Sequence, residues 1–309
     1  MPEQSYETAG IDITARLAEI VGVNSVKVNE PMSEHTTFKI GGPVEWFVKP
    51  QSIEQVQSIM HFCDKYGIPV HVMGLGSDVL VCDEGMLGVV VQTASHLKQI
   101  YIEGTVVHAL AGASNEDVAA AAQRAGLTGY EFASGIPGTV GGAAIMNAGA
   151  YDGEFSQVAI SVLCLAPYGS IVEIPASQAD WSYRHSMMAD EGYVLLGVRL
   201  QLAPGDPDEI QARMDELAQR RAAKQPLEMA SAGSTFKRPV GHYAGALIQE
   251  AGMQGHTYGG AQVSTKHAGF VVNTGGATAD DVCHVISDVM DAVKEHSGVE
   301  LEPEVKFWC

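Results

Sequence analysis

Apolar residues recur at helical spacing in several stretches of the chain, and each stretch closes at a residue suited to stop a helix. Ile53, Val56, Met60 and Cys63 form one such stripe, ended by Gly67. Ser114 with Asp117 opens another helix, which stops at Gly126. Ile210, Met214 and Leu217 mark a third, and Thr278, Val282, Ile286, Val289 and Val293 a fourth, ended by Gly298. Between them β-rich runs cover 69–73, 88–92, 106–109, 158–166, 171–174 and 193–202. The runs flanking Pro167-Tyr168-Gly169-Ser170 read as a hairpin. Several neighbouring runs are too close for a crossover helix, which predicts an α+β fold with mixed or antiparallel sheets. Two prolines and a glycine interrupt the pattern at 203–207, where a domain boundary is expected.

The length of 309 residues suggests two or three domains, at about 100–200 residues each. With 18 Lys+Arg against 37 Asp+Glu, the chain is no general binder of nucleic acid, whose phosphates need basic side chains. An anionic ligand therefore needs a local cluster. No apolar run reaches the roughly 18–20 residues of a membrane span. The opening MPEQSYETAGIDITARL lacks the basic start and apolar core of a leader, so a cytoplasmic protein is expected. The five cysteines are odd in number, far apart and never in C-x-x-C spacing. Neither a disulfide framework nor a zinc site is expected from them. The scattered histidines suggest no metal site either.

Common catalytic motifs are absent. Gly74-Leu75-Gly76-Ser77-Asp78-Val79 supplies only the first two glycines of a dinucleotide fingerprint, and no P-loop, H-E-x-x-H or G-x-S-x-G occurs. Two glycine-rich loops remain. GLGSDVLV, residues 74–81, follows the 69–73 run, and the strand is expected to resume at Val79. Taken alone, this loop is equally a tight turn or a phosphate cradle made of N–H groups and the Ser77 hydroxyl. The second loop, residues 134–154, packs Gly135, Gly138, Gly141 and Gly142 around a proline and then runs through small residues to Asn147 and Tyr151. A close helix–strand crossing explains the small residues, but the polar end of the run favours contact with a ligand. A third feature is local charge. Arg220, Arg221, Lys224, Lys237 and Arg238 surround Ser234 with Glu228 as the one acid between residues 220 and 238, which reads as an anion site.

These loops stand in order with TTFKIGGP (36–43), YRHS (183–186), KQPLEMASAGSTFKRP (224–239), GGAQVSTKHAGFVVN (259–273) and LEPEVKF (301–307). The ordered set, spread from residue 36 to 307, resembles the UDP-N-acetylenolpyruvoylglucosamine reductases, flavoenzymes of bacterial peptidoglycan precursor synthesis. The short segment between YRHS and the 193–202 run looks like the branch of that family without an inserted capping loop. The resemblance implies an FAD-binding region of the vanillyl-alcohol-oxidase type in 1–203, two α+β lobes split near residue 92. A smaller α+β substrate-binding domain with a catalytic tail follows in 204–309.

The resemblance also implies the chemistry: NADPH reduces bound FAD, and the reduced cofactor then reduces the enolpyruvyl group of UDP-N-acetylglucosamine enolpyruvate within the same cavity. A monomer or weak oligomer is expected. The family's catalytic Arg, Ser and Glu fall on Arg184, Ser234 and Glu304. Ser234 would donate a proton, and Glu304 would help an enolate only if protonated or acting through water. The FAD contacts fall on Gly74, Leu75, Gly76, Ser77, Asp78, Val79, Ser134, Gly135, Ile136, Gly138, Thr139, Gly142, Ala143 and Asn147. Tyr151, Arg221, Lys224, Lys237, Gln262 and His267 fall on the substrate. Asp78, Arg238 and Lys306 depart from the residues usual in the family, which has Asn, Asn and Arg there. An FAD-dependent alcohol oxidase and a non-catalytic nucleotide-sugar binder are the competing readings.

Overall fold

The computed structural model describes residues 10–309. The reading of the opening segment as no leader falls partly on residues 1–9, outside the described residues. The chain divides into two compact units, and neither follows a single cut at 203. One comprises the chain as far as Asn29, Glu45–Leu75 and Leu87–Arg220; the other comprises Glu30–Val44, Gly76–Met86 and Arg221–Cys309. The expected break at 203–207 is bound into the first unit. Ala203–Pro204 pairs antiparallel with Leu127–Thr128, and the Gly205 N–H donates to the Gly126 carbonyl at 2.8 Å.

In the first unit, α1 (Ile13–Val21) and α2 (Ile53–Lys65) begin at Asp12 and Ser52, whose side chains accept the orphan N–H groups of Ala15 and Gln55. Their apolar faces share a core with Val48, Val89 and Val91 of a four-stranded sheet. In that sheet Val70–Met73 runs parallel to Met86–Gln92. A second sheet, of five strands, runs Ile171–Pro175, Ala159–Leu165, Val194–Gln201, Val106–Leu110, Ile100–Glu103, antiparallel throughout. The hairpin at 167–170 closes as the turn residues predict, with the Gly169 N–H on the Ala166 carbonyl. The helices α3 (Asn115–Arg124), α4 (Val140–Ile145) and α5 (Met187–Asp190) bury Val118, Val140, Ala144 and Met188 with Val107, Val198 and Leu200 of this sheet. α6 (Pro207–Lys224) begins in the first unit and ends in the second.

The second unit contains α7 (Ala244–Glu250), α8 (Ala279–Ser297) and a four-stranded antiparallel sheet ordered 230–231, 271–273, 261–263, 257–258. α8 has the ends its sequence announces: a Thr278–Asp281 capping box and Gly298 in the left-handed conformation. Its stripe of Val282, Val285, Ile286, Val289 and Val293 packs on Ala261, Val263 and Val271.

Two expectations fail here. The strand Val79–Val81 does not extend the 70–73 strand; it pairs in parallel with Lys306–Trp308, most of the chain away. Beside that pair, Cys82 and Cys309 form a disulfide across 227 residues, with Cα atoms 5.1 Å apart. Their spacing along the chain hid what the fold brings together. Cys63 and Cys164 are buried thiols, each pushed up to about 12 by desolvation, and so are inert.

Candidate active site

The loop at 134–147 is built on α3. Asn115, 1% exposed, donates from Nδ2 to the carbonyls of Ile136 and Gly138 at 3.3 and 3.4 Å, while its Oδ1 accepts from the Tyr130 hydroxyl at 2.9 Å. The Tyr130 phenol is raised by desolvation and stays a donor. Neither residue was singled out from the sequence. A polar residue of low helix propensity directly after the Ser114 cap was the available signal. Gly138 takes a φ of 111°, open to glycine and strained for any side chain.

The small residues of this loop serve two different ends. A Cβ on Gly141 would lie 2.8 Å from the Ala111 Cβ and carbonyl oxygen, so crowding within the fold demands glycine there. A Cβ on Gly74 would lie 2.3 Å from Thr139 Oγ1, so the two glycine loops pack on each other at that point. Ala143 likewise sits in the core. Gly142 differs: it is exposed, and a Cβ there would meet nothing nearer than Thr139 Oγ1 at 3.8 Å. Protein packing does not account for glycine at this position. Residues 132–150 contain no ionisable side chain, and the polar side chains of the wall they form are those of Ser134, Thr139 and Asn147.

Asn147 belongs to the support of this wall. It is 1% exposed with φ 41°, its Nδ2 donates to the Ser182 carbonyl at 3.1 Å, and its Oδ1 accepts the Ser156 N–H at 2.9 Å. Two more bonds tie the same strip to the YRHS turn. Trp181 Nε1 donates to the Ala144 carbonyl at 2.7 Å, and the fully buried Ser186 hydroxyl donates to the Ile145 carbonyl at 2.7 Å. Arg184 sits at the tip of that turn with φ 55°, its guanidinium 4.9 Å above the Tyr183 ring. A left-handed arginine costs about 1–2 kcal/mol, and the buried bonds on both sides of the turn impose it. His185 steadies the turn from outside: its bond to Asp190 at 2.8 Å raises its pKa.

In the second unit, main-chain pairing brings Ser234 and Glu304 onto neighbouring segments. Thr235 is 1% exposed; its N–H donates to the Gly269 carbonyl, its Oγ1 accepts the Val271 N–H, and its carbonyl accepts the Glu304 N–H at 2.8 Å. Phe236 bridges Pro303, and the Lys237 N–H reaches the Glu302 carbonyl at 2.8 Å. Ser234 is exposed immediately before this ladder, and Glu304 half-buried within it. The strand after Glu304 donates from the Lys306 N–H to the Asp78 carbonyl at 2.9 Å, so Asp78 and Val79 take part through their backbone. The Gly76 carbonyl accepts from the Thr37 N–H.

The basic cluster is less uniform than its sequence. Arg220 pairs with Glu216 at 3.6 Å and stacks 4.9 Å from the Tyr151 ring in the first unit, and the Tyr151 hydroxyl donates to the Leu217 carbonyl. Arg238 lies 4.1 Å from the Tyr243 ring, and Lys237 is paired with Glu302, an acid from beyond the segment. Lys224 acts on His267 through its charge. Burial, and then the Lys224 charge, lower the His267 pKa, and its Nδ1 accepts the Gly269 N–H at 3.1 Å, which leaves the proton on Nε2. Gln262 donates to Thr257 Oγ1 at 3.1 Å across the sheet.

Residues 44–175 match a family model described as an FAD binding domain. Residues 225–308 match the C-terminal domain of UDP-N-acetylenolpyruvoylglucosamine reductase. A UDP-N-acetylenolpyruvoylglucosamine reductase of Syntrophomonas wolfei is 46% identical over 281 residues, covering 91% of this chain and 94% of the relative. The chain belongs to the UDP-N-acetylenolpyruvoylglucosamine reductase family. A family member of Clostridium beijerinckii is 48% identical over 285 residues, 92% of this chain and 93% of its own. The crystal structure of the reductase from Thermus caldophilus superposes with a TM-score of 0.80 at 32% identity, over 92% of this chain and all of that one. With the FAD binding domain, membership makes the chain an oxidoreductase that uses FAD. Among the described residues no helix is long and apolar enough to cross a membrane, and no group of three or more His, Cys, Asp or Glu could hold a metal ion.

Proposed function

We propose that the chain reduces the enolpyruvyl group of UDP-N-acetylglucosamine enolpyruvate to give UDP-N-acetylmuramate, in the cytoplasm, with NADPH as reductant and both nucleotides using one cavity in turn. The observation that carries this reading is the ladder from Thr235 to Lys237 and Glu302 to Glu304, which sets a hydroxyl and a carboxyl on adjacent segments. In this reading 1–203 is the FAD-binding region and 204–309 the substrate-binding domain with its catalytic tail, acting as a monomer or weak oligomer.

Bound FAD would lie against Gly135, Ile136, Gly138 and Gly142, with its diphosphate at 74–79, and would supply the two-electron reduction. The remaining steps fall to the chain's own groups. Arg184 holds the substrate carboxylate, because a guanidinium offers paired donors in one plane. Its fixed turn removes the conformational freedom that binding would otherwise have to freeze. Ser234 delivers a proton to the carbon bearing that carboxylate. A hydroxyl is a weak acid, so this transfer waits until that carbon has become strongly basic. Glu304, as a neutral acid or through a bound water, donates a hydrogen bond to the charge that collects on the carboxyl group at that stage; an ionised carboxylate there would repel it. Arg221, Lys224 and Lys237 meet the substrate diphosphate, and His267 offers Nε2–H as a neutral donor. Gln262 and Tyr151 complete the substrate contacts.

An absorbance titration tests the whole scheme. The protein should be yellow as purified, bleach on NADPH in the absence of air, and recover its colour on adding the enolpyruvyl nucleotide sugar. Colourless protein that takes up no FAD, or colour that returns with oxygen as fast as with the nucleotide sugar, contradicts it.

A further inference from the structure

The strand Lys306–Trp308 is three residues long, has one sheet partner, and leaves Lys306 and Phe307 exposed. Two-stranded ladders of this length are marginal in water. Yet this strand continues directly from Glu304 and lies on the segment that follows the 74–78 loop. Main-chain bonds from Lys306 to Asp78 and from Cys82 to the Trp308 carbonyl bracket the pair, and the Cys82–Cys309 disulfide closes its far end. Cys82 is half-buried and Cys309 exposed. Asp83, the next residue, accepts the N–H groups of Ala279 and Asp280, which fixes the Cys82 side of the clasp to α8.

We infer that Cys82 and Cys309 form a reversible clasp: oxidised, it holds Glu304 in register with the 74–79 segment, and reduced, it lets the 304–308 tail loosen. The inference rests on the assignment of Glu304 to the reaction. Closure takes two steps. The Cys309 thiolate attacks a low-molecular-weight disulfide and expels one thiolate; the Cys82 thiolate then attacks the Cys309 sulfur and expels the second. Two thiols thereby lose two electrons and two protons to one disulfide, which becomes two thiols. A dithiol reverses the exchange, as a reducing compartment would.

The test uses the FAD-loaded protein poised in glutathione buffers of graded redox composition, with thiols then trapped by alkylation. Mass spectrometry of unreduced peptides should find a 82–309 link that titrates with the buffer. On reduction, amide exchange at 306–308 should accelerate, flavin reduction by NADPH should hold, and reoxidation by the enolpyruvyl nucleotide sugar should slow about tenfold, as for a displaced reacting group. Cys309→Ser should reproduce the reduced behaviour and ignore the buffer, while Cys283→Ser remains sensitive. No linked peptide under oxidising buffer, or a link whose loss leaves both exchange and reoxidation unchanged, overturns the clasp. Glu304→Gln separates the two assignments: if it leaves reoxidation intact, the role of Glu304 falls, and exchange at 306–308 alone decides the clasp.

Discussion

The wall at 134–147 and the ladder at Ser234 and Glu304 are positioned by opposite means. Behind the wall stand buried side chains, Asn115, Asn147 and Ser186, whose polar atoms reach main-chain groups from several directions. Along the ladder the bonds are mostly main chain to main chain, and Ser234 itself is exposed. The first arrangement backs a surface with buried side chains; the second presents Ser234 and Glu304 on main-chain bonds indifferent to side-chain identity. Substitutions should accordingly damage stability at the wall and chemistry at the ladder.

The sharpest contrast comes from Ser234→Ala. It should fold and bind FAD normally and be reduced by NADPH at nearly the usual rate, while reoxidation by the nucleotide sugar slows by about 10³-fold, within the range of a lost general acid. Stopped-flow traces of the two half-reactions check this; equal losses in both refute the assigned role. Asn115→Ala should instead lower unfolding stability by about 3 kcal/mol, since it strands the Tyr130 hydroxyl and two loop carbonyls. Denaturant titration reads that directly, and flavin retention should fall with it.

A finer test lies inside the wall. Gly141→Ala forces a Cβ onto Ala111 and should cost about 2 kcal/mol with or without FAD, whereas Gly142→Ala should leave the apoprotein as stable or slightly more so, because alanine favours a helix. The effect of Gly142→Ala should appear in flavin affinity alone. Equal stability losses at both positions would remove the distinction between packing glycine and ligand glycine.

The smallest effect concerns His267. Its folded pKa is depressed below the ordinary 6.5 by burial first and Lys224 second, so below that value the unfolded chain binds the proton more readily than the folded one. Its contribution to stability is therefore present above 6.5 and declines as pH falls towards the folded pKa. Imidazole resonances followed by NMR should show a midpoint under 6.5, and Lys224→Met should move it upward.

Local signals were legible in the sequence. Ser114 and Thr278 cap the helices they announced, Gly298 ends α8, and the 167–170 turn closes its hairpin. Long-range pairings left no such trace. Nothing in the periodicity of VLV or KFW says that they adjoin, so the 79–81 strand, the Cys82–Cys309 bond and the transfer of 30–44 and 76–86 to the second unit all went unread. The small-residue run was legible as a constraint but not as its cause: crowding explains Gly141, and an open surface distinguishes Gly142. The basic cluster divided for a similar reason. Arg220 and Arg238 have aromatic neighbours that their spacing cannot disclose.

The parallel pairing of 79–81 with 306–308 also bears on biosynthesis. During translation the earlier strand leaves the ribosome more than two hundred codons before its partner, as the 227-residue separation of Cys82 and Cys309 measures. Through that interval the nascent chain carries Val79, Leu80 and Val81 without the strand they pair with in the folded protein, an apolar segment that must stay unpaired until the last residues are made.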